Sequence, residues 1–252
     1  MATTTLTVQQ RAARSSVMRK FWMALSGLIM VGYLLLHMYG NLKMFSGTKV
    51  VDAPGGGTQE VYAYDAYAEH LRVIGDPLLP EEGLLWIIRV VLVLAILVHM
   101  WSAFTLWSRA KKASGGSRRY ANNKAIQRSY ASYTMRWGGV TIALFVLYHL
   151  LHFTIGGAAN PVIDTAQGAQ TIFPRVVESF QNPLVLISYI IAMIAVGLHI
   201  RHGFWSAFAT LGANTSIKAR AIWNTVAIII ALVIVLGFLA GPIAIFFGGI
   251  TL

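Results

Sequence analysis

Seven histidines and no cysteine divide the metal chemistry open to this chain of 252 residues. Without thiols there is no disulfide, no thiolate zinc site, no thiol nucleophile and no iron–sulfur cluster held by the chain's own ligands. Imidazole nitrogen is left as the main donor to a metal. Six of the seven, His37, His99, His149, His152, His199 and His202, fall inside long apolar stretches. Ionisable groups in such stretches are costly, and they mark function by default. Only His70 falls in a polar connection, where a solvated surface residue is the expectation.

The elements that must position these side chains follow from composition. Hydrophobic residues make up 56% of the chain, charged residues only 12%, and the mean hydropathy is +0.63. A soluble domain carries about 25% charged residues, so a soluble globule is excluded. Five stretches are long enough to cross a bilayer: 21–41, 83–108, 137–155, 183–211 and 221–247. The first is full span length and lacks the short apolar region and cleavage site of a signal peptide, so it is expected to remain. The expected fold is one all-α membrane domain over 1–252, a bundle of five transmembrane helices. A short helix near 61–74 is expected in the first long polar connection.

Charge sets the expected orientation. Residues 1–20 hold Arg11, Arg14, Arg19 and Lys20, and residues 109–136 hold eight more Lys or Arg, with no carboxylate in either segment. All nine carboxylates fall in the two connections on the other side. By the positive-inside rule the N-terminus is cytoplasmic and the C-terminus external. The formal charge of +11 therefore belongs to membrane sidedness, and no nucleic-acid partner is expected.

Counting about 1.5 Å per residue from the basic end, His37 lies roughly 25 Å deep and His149 roughly 20 Å, both in the outer half. His99 and His199 lie roughly 15 Å from the cytoplasmic edge. Four helices thus offer two histidines at each of two levels, the arrangement that two stacked haems with bis-histidine ligation require. Any one of these histidines is equally explained by a hydrogen bond between helices; the fourfold pattern is what points to haem. Two haems held between only two helices would need histidines 13 or 14 residues apart in one span, which no span has. Depth does not choose within the close pairs His149/His152 and His199/His202, which sit one turn apart on one face.

The segments GLIMVGYLLLHMYGNL (27–42), VHMWSAF (98–104), RWGGVTIALFVLYH (136–149) and LHIRHGFWSAF (198–208) resemble the four ligand-bearing segments of the cytochrome b558 membrane anchor of succinate dehydrogenase and fumarate reductase. The resemblance runs through all five spans in order. It implies a single-chain, di-haem b anchor in the bacterial cytoplasmic membrane. The implied partners are an iron–sulfur subunit on the cytoplasmic face and the flavoprotein behind it, with a higher oligomer of the whole complex left open. By motif it assigns His37 and His149 to an outer haem and His99 and His199 to an inner one. It offers no counterpart for His152 and puts His202 where some relatives carry Asn, so both are read as helix or propionate contacts. It also implies a quinone as substrate, menaquinone being the expected type.

Within that frame Arg89, ten residues outside His99, is expected near an outer-haem propionate, with snorkelling to the surface as the alternative. Tyr39 and Asn41 are expected near a quinone head. Arg19, Arg136 and Arg201 are read as topology anchors, and Gly27, Gly32, Gly138 and Gly139 as places where a flat macrocycle can approach a helix. The chain would transfer electrons while succinate chemistry stays on its partners. The alternatives are an anchor of another quinone-linked dehydrogenase and a haem-free transporter.

Overall fold

The protein is described by a computed structural model covering residues 7, 15–52, 56–113, 130–155 and 172–252. Among the described residues, five helices are long and apolar enough to cross a membrane. They are α1 (Ser16–Asn41), α3 (Gly83–Ala113), α4 (Tyr130–His149), α6 (Pro183–Thr210) and α7 (Ile217–Phe246). A short 3-10 turn, Leu42–Ser46, extends α1, and a π-helical segment, Leu150–Ile155, extends α4. The expected spans are present, with helix running past several of their apolar limits. In α3 it continues through Arg109, Lys111 and Lys112, since long basic side chains favour helix and snorkel from a span's end. The basic residues Arg11, Arg14, Arg118, Arg119, Lys124 and Arg128, and the carboxylate of Asp164, lie outside the described residues.

Local chemistry sets several helix starts. Ser15 accepts a hydrogen bond from the Met18 amide at the start of α1, and Ser216 one from the Ala219 amide at the start of α7. Asn182 caps α6 through the Leu184 amide, with Pro183 in the first turn, where its missing N–H costs nothing. In the bundle α1 packs on α3, α4 on α6, and α6 on α7, with α1 also against α6 and α7. The exposed faces carry Ile191, Ile194, Leu232, Val233 and Leu236, an apolar surface suited to lipid.

One end of the bundle is capped. Strands β1 (Thr48–Asp52) and β2 (Thr58–Tyr62) form an antiparallel hairpin, Thr48 opposite Tyr62, which leads into α2 (Ala63–Val73). Helix α2 is the short helix expected over 61–74. The two long connections are expected to form ordered caps, and the structure builds them with the hairpin and α5 (Ile172–Phe180), two elements not specified in that expectation. In α5 the residues Phe173, Val176, Val177 and Phe180 recur on one helical face, which is buried with Met44, Tyr189 and Ile245. Its first turn is held from the other connection: Asp65, itself buried, accepts hydrogen bonds from the amides of Ile172 (2.7 Å) and Phe173 (3.0 Å). Tyr64 beside it donates to Asn41 Oδ1 at 3.1 Å and ties α2 to the end of α1.

Candidate metal-ligand pairs between the helices

The structure brings four of the six intramembrane histidines together in two pairs. His37 on α1 and His149 at the end of α4 have ring centroids 6.0 Å apart, with planes at 78°. His99 on α3 and His199 on α6 have ring centroids 6.1 Å apart, with planes at 59°. Each pair bridges two helices whose backbones do not pack closely on one another among the described residues, so the rings alone span the gap. Two metal–nitrogen bonds of about 2 Å each, plus the half-widths of two imidazoles, put the centroids roughly 6 Å apart. Both pairs have that spacing.

Three helices measure the distance between the two levels independently. On α1, His99 touches the region of Met23, Ser26 and Gly27, and His37 lies ten residues beyond Gly27. On α4, His199 approaches Gly139, ten residues before His149. On α6, Tyr189 reaches His149 and lies ten residues before His199. Ten helical residues are about 15 Å.

The surroundings of the two pairs differ. At the level of His99, its Nδ1 lies 3.1 Å from the carbonyl oxygen of Met23 and 3.4 Å from Ser26 Oγ. A carbonyl only accepts, so Nδ1 carries the proton and Nε2 presents its lone pair. Gly27 gives the ring room there, since a Cβ would stand a tight 3.3 Å from His99 Cε1 and the ring would have to yield by a few tenths of an ångström. At Gly139 a Cβ would meet His199 Cε1 at an ordinary 3.6 Å, and at Gly32 and Gly138 it would meet nothing within 4 Å. His199 Nδ1 and Ser102 Oγ are buried without a hydrogen-bond partner among the described residues.

The level of His37 is aromatic. The His37 ring stacks on Tyr33 at 5.4 Å and 11°, and Phe238 lies at 5.4 Å. His149 contacts Phe145, Phe153 and Tyr189. Tyr189 is the residue that sequence reasoning missed: its hydroxyl lies 3.1 Å from His149 Nδ1 and 3.0 Å from His152 Nδ1. The signal was its position on the fourth span, ten residues outside His199 and so at the outer level. His152 is only 1% exposed, held among Tyr148, Phe153 and Tyr189.

The other expected residues are placed as follows. Arg89 pairs with Glu82 at 3.3 Å, lies over the Trp86 ring and is 46% exposed, an arrangement in keeping with the snorkelling alternative. Asn41 donates to the His37 carbonyl oxygen and accepts from Tyr64, which commits both ends of its amide within the chain. Tyr39 is exposed beneath the Lys43 ammonium and faces Tyr67, so it does not converge with Asn41. His202 is half-buried one turn past His199, and His70 is exposed on α2, as expected. Arg19 lies over Trp101 and Arg136 over Trp107.

The class of protein so defined is a multi-pass helical membrane bundle with two interhelical imidazole pairs at two levels. Comparisons with protein-family models, characterised proteins and solved structures find no match for the chain.

The fit of a haem iron to these pairs rests on the donor set. Each level supplies two imidazoles at bis-ligand spacing, His99 has its Nε2 freed by the Met23 carbonyl, and a glycine lies against one ring at the inner level. The buried Nδ1 of His199 is a further polar atom at that level with unused hydrogen-bonding capacity.

Proposed function

We propose that this chain is the di-haem b membrane anchor of a succinate:quinone oxidoreductase in a bacterial cytoplasmic membrane, with its N-terminus cytoplasmic. It would pass electrons from a cytoplasmic iron–sulfur subunit, which is fed by a flavoprotein, to a quinone. The observation that carries this reading is the pairing of His37 with His149 and of His99 with His199, at 6.0 and 6.1 Å, on levels ten residues apart. The four-segment resemblance supplies the identity of the complex, and the acid-free basic segments supply the orientation.

When bound, each haem would supply one-electron redox chemistry, which suits electron transfer. The chain's own residues do the rest. His37 and His149 would hold the outer group across α1 and α4, and His99 and His199 would hold the inner one across α3 and α6. The helix interior excludes water from both. The basic end of the bundle, including Arg109, Lys111 and Lys112, faces the partner that delivers electrons. Arg89, Tyr39 and Asn41 lie toward the capped end, where propionates of the outer group and a quinone head would approach.

The test is a pyridine haemochrome assay on the purified complex. Two b-type haems per chain are expected. A chain with no haem absorbance would overturn the reading in favour of a haem-free transporter. Two haems without succinate-reducible absorbance would point to the anchor of another quinone-linked dehydrogenase.

A further inference from the structure

We infer that Tyr189 is a positioning residue that selects which histidine of α4 can bind a metal, presenting His149 with a bare Nε2 and leaving His152 with a protonated one. The inference rests on the haem reading for the nature of the metal; the hydrogen bonds narrow the proton orders to two, and the groups around each ring choose between them. A phenol hydroxyl has one hydrogen and can accept through its lone pairs, and a neutral imidazole has one N–H. With Nδ1 of His149 at 3.1 Å and Nδ1 of His152 at 3.0 Å, Tyr189 cannot donate to both. If both rings donated to it, its own hydrogen would be left without an acceptor in a buried aromatic setting, at a cost of about 1–3 kcal/mol. Two orders remain. Either His149 donates and Tyr189 donates onward to His152, or the sequence runs in reverse.

In the first order the Nε2 of His149 carries a lone pair; in the second, that of His152 does. The surroundings choose between them. The His149 ring has the His37 imidazole across the gap at 6.0 Å, so a lone pair there has a second ligand opposite it. The His152 ring is enclosed by Tyr148, Phe153 and Tyr189, with the Arg175 guanidinium as its charged neighbour, and among the described residues it makes no ring contact with another imidazole. The π-helical segment that starts at Leu150 sets this up, since it is there that the chain leaves the α-helical path between the two histidines. Depth along the helix did not separate His149 from His152; the shared hydroxyl does.

A carboxylate, carbonyl or hydroxyl accepting from the far nitrogen of a ligand histidine orients the ring and raises its basicity, and losing such a partner typically weakens metal retention roughly 10- to 100-fold. The experiment uses the purified complex, with the two haems counted and titrated separately for midpoint potential. Tyr189→Phe should speed loss of the outer haem by a factor in that range and raise its potential, leaving the inner haem unmoved. His152→Ala should keep both haems, because the Tyr189 oxygen still accepts from His149. His149→Ala should lose the outer one. Two haems with an outer potential and retention unchanged in Tyr189→Phe would overturn the inference, as would loss of the outer haem from His152→Ala with retention in His149→Ala. If the wild-type complex holds no haem, the functional reading fails separately. Nitrogen NMR of the histidine-labelled full chain then decides the proton order: a proton on Nδ1 of His149 upholds the inference and one on Nδ1 of His152 overturns it.

Discussion

The two imidazole pairs reach nearly the same ring spacing by different means. At the inner level the orienting acceptor is a backbone oxygen, the Met23 carbonyl, and the space for the ring is made by Gly27. At the outer level the orienting group is a side-chain hydroxyl, and space is shaped by the aromatic rings of Tyr33, Phe145, Phe153 and Phe238. A backbone acceptor is indifferent to the residue that carries it, whereas a hydroxyl can be removed by one substitution. The inner pair is therefore the more resistant to mutation of its surroundings, and the outer pair the more tunable.

The largest effect should come from the ligands themselves. His99→Ala or His199→Ala should empty the inner level completely and leave one haem, and His37→Ala should do the converse. A haem count and separate redox titrations check this. Loss of both haems from any single change would show that the levels are one cooperative unit. A smaller but still clear contrast is expected from glycine. Gly27→Leu should displace the His99 ring, costing about 1–3 kcal/mol by overpacking and reducing inner haem content, whereas Gly32→Leu should leave haem content unchanged.

The capped end adds a pH prediction that separates cap from bundle. Burial, and secondarily the nearby Asp65, push the Tyr64 hydroxyl up to about 12 from the ordinary 10. The neutral phenol is the form the fold prefers. Its contribution is present in full below the ordinary value and is lost as pH rises through about 12. Phenolate absorbance should show Tyr64 still protonated at a pH where exposed tyrosines have ionised, with Tyr64→Phe as the reference. Ionisation of Tyr64 together with the exposed tyrosines would show that the cap is not closed on α1. The smallest effect belongs to Ser26→Ala. Its contact with His99 is long, at 3.4 Å, and the Met23 carbonyl remains, so a stability change within about 0.5 kcal/mol and an unmoved inner potential are expected. A clear shift would mean that the hydroxyl, not the carbonyl, orients His99.

What could be read before folding was what depends on length and periodicity. Apolar runs gave the five spans, and residue counts from their ends placed His37 with His149 and His99 with His199 in depth. The choice of His149 over His152 was not legible that way, because one turn of helix changes depth by less than such counting resolves. The four-segment resemblance made that choice, and in the structure it is the His149 ring that faces His37, while Tyr189, forty positions away, contacts both His149 and His152. The hairpin and α5 were missed for a related reason. Both sit in polar connections rich in glycine and proline, where the register of strands and the burial of one helical face are decided by what they pack on. The helical repeat of Phe173, Val176, Val177 and Phe180 was visible, but its purpose appears only against Met44 and Tyr189.

The carboxylate of Asp65 has a bearing on how the chain is assembled. It is synthesised 107 residues ahead of the Ile172 amide it accepts from, and both α3 and α4 lie between them. The bond can close only if those two helices have crossed in opposite directions and returned the chain to the side where Asp65 waits. A chain that had skipped one crossing would leave Asp65 and the start of α5 on opposite faces of the membrane. The two hydrogen bonds that hold the cap thus join segments on either side of α3 and α4, at the end of the bundle opposite Arg109, Lys111 and Lys112.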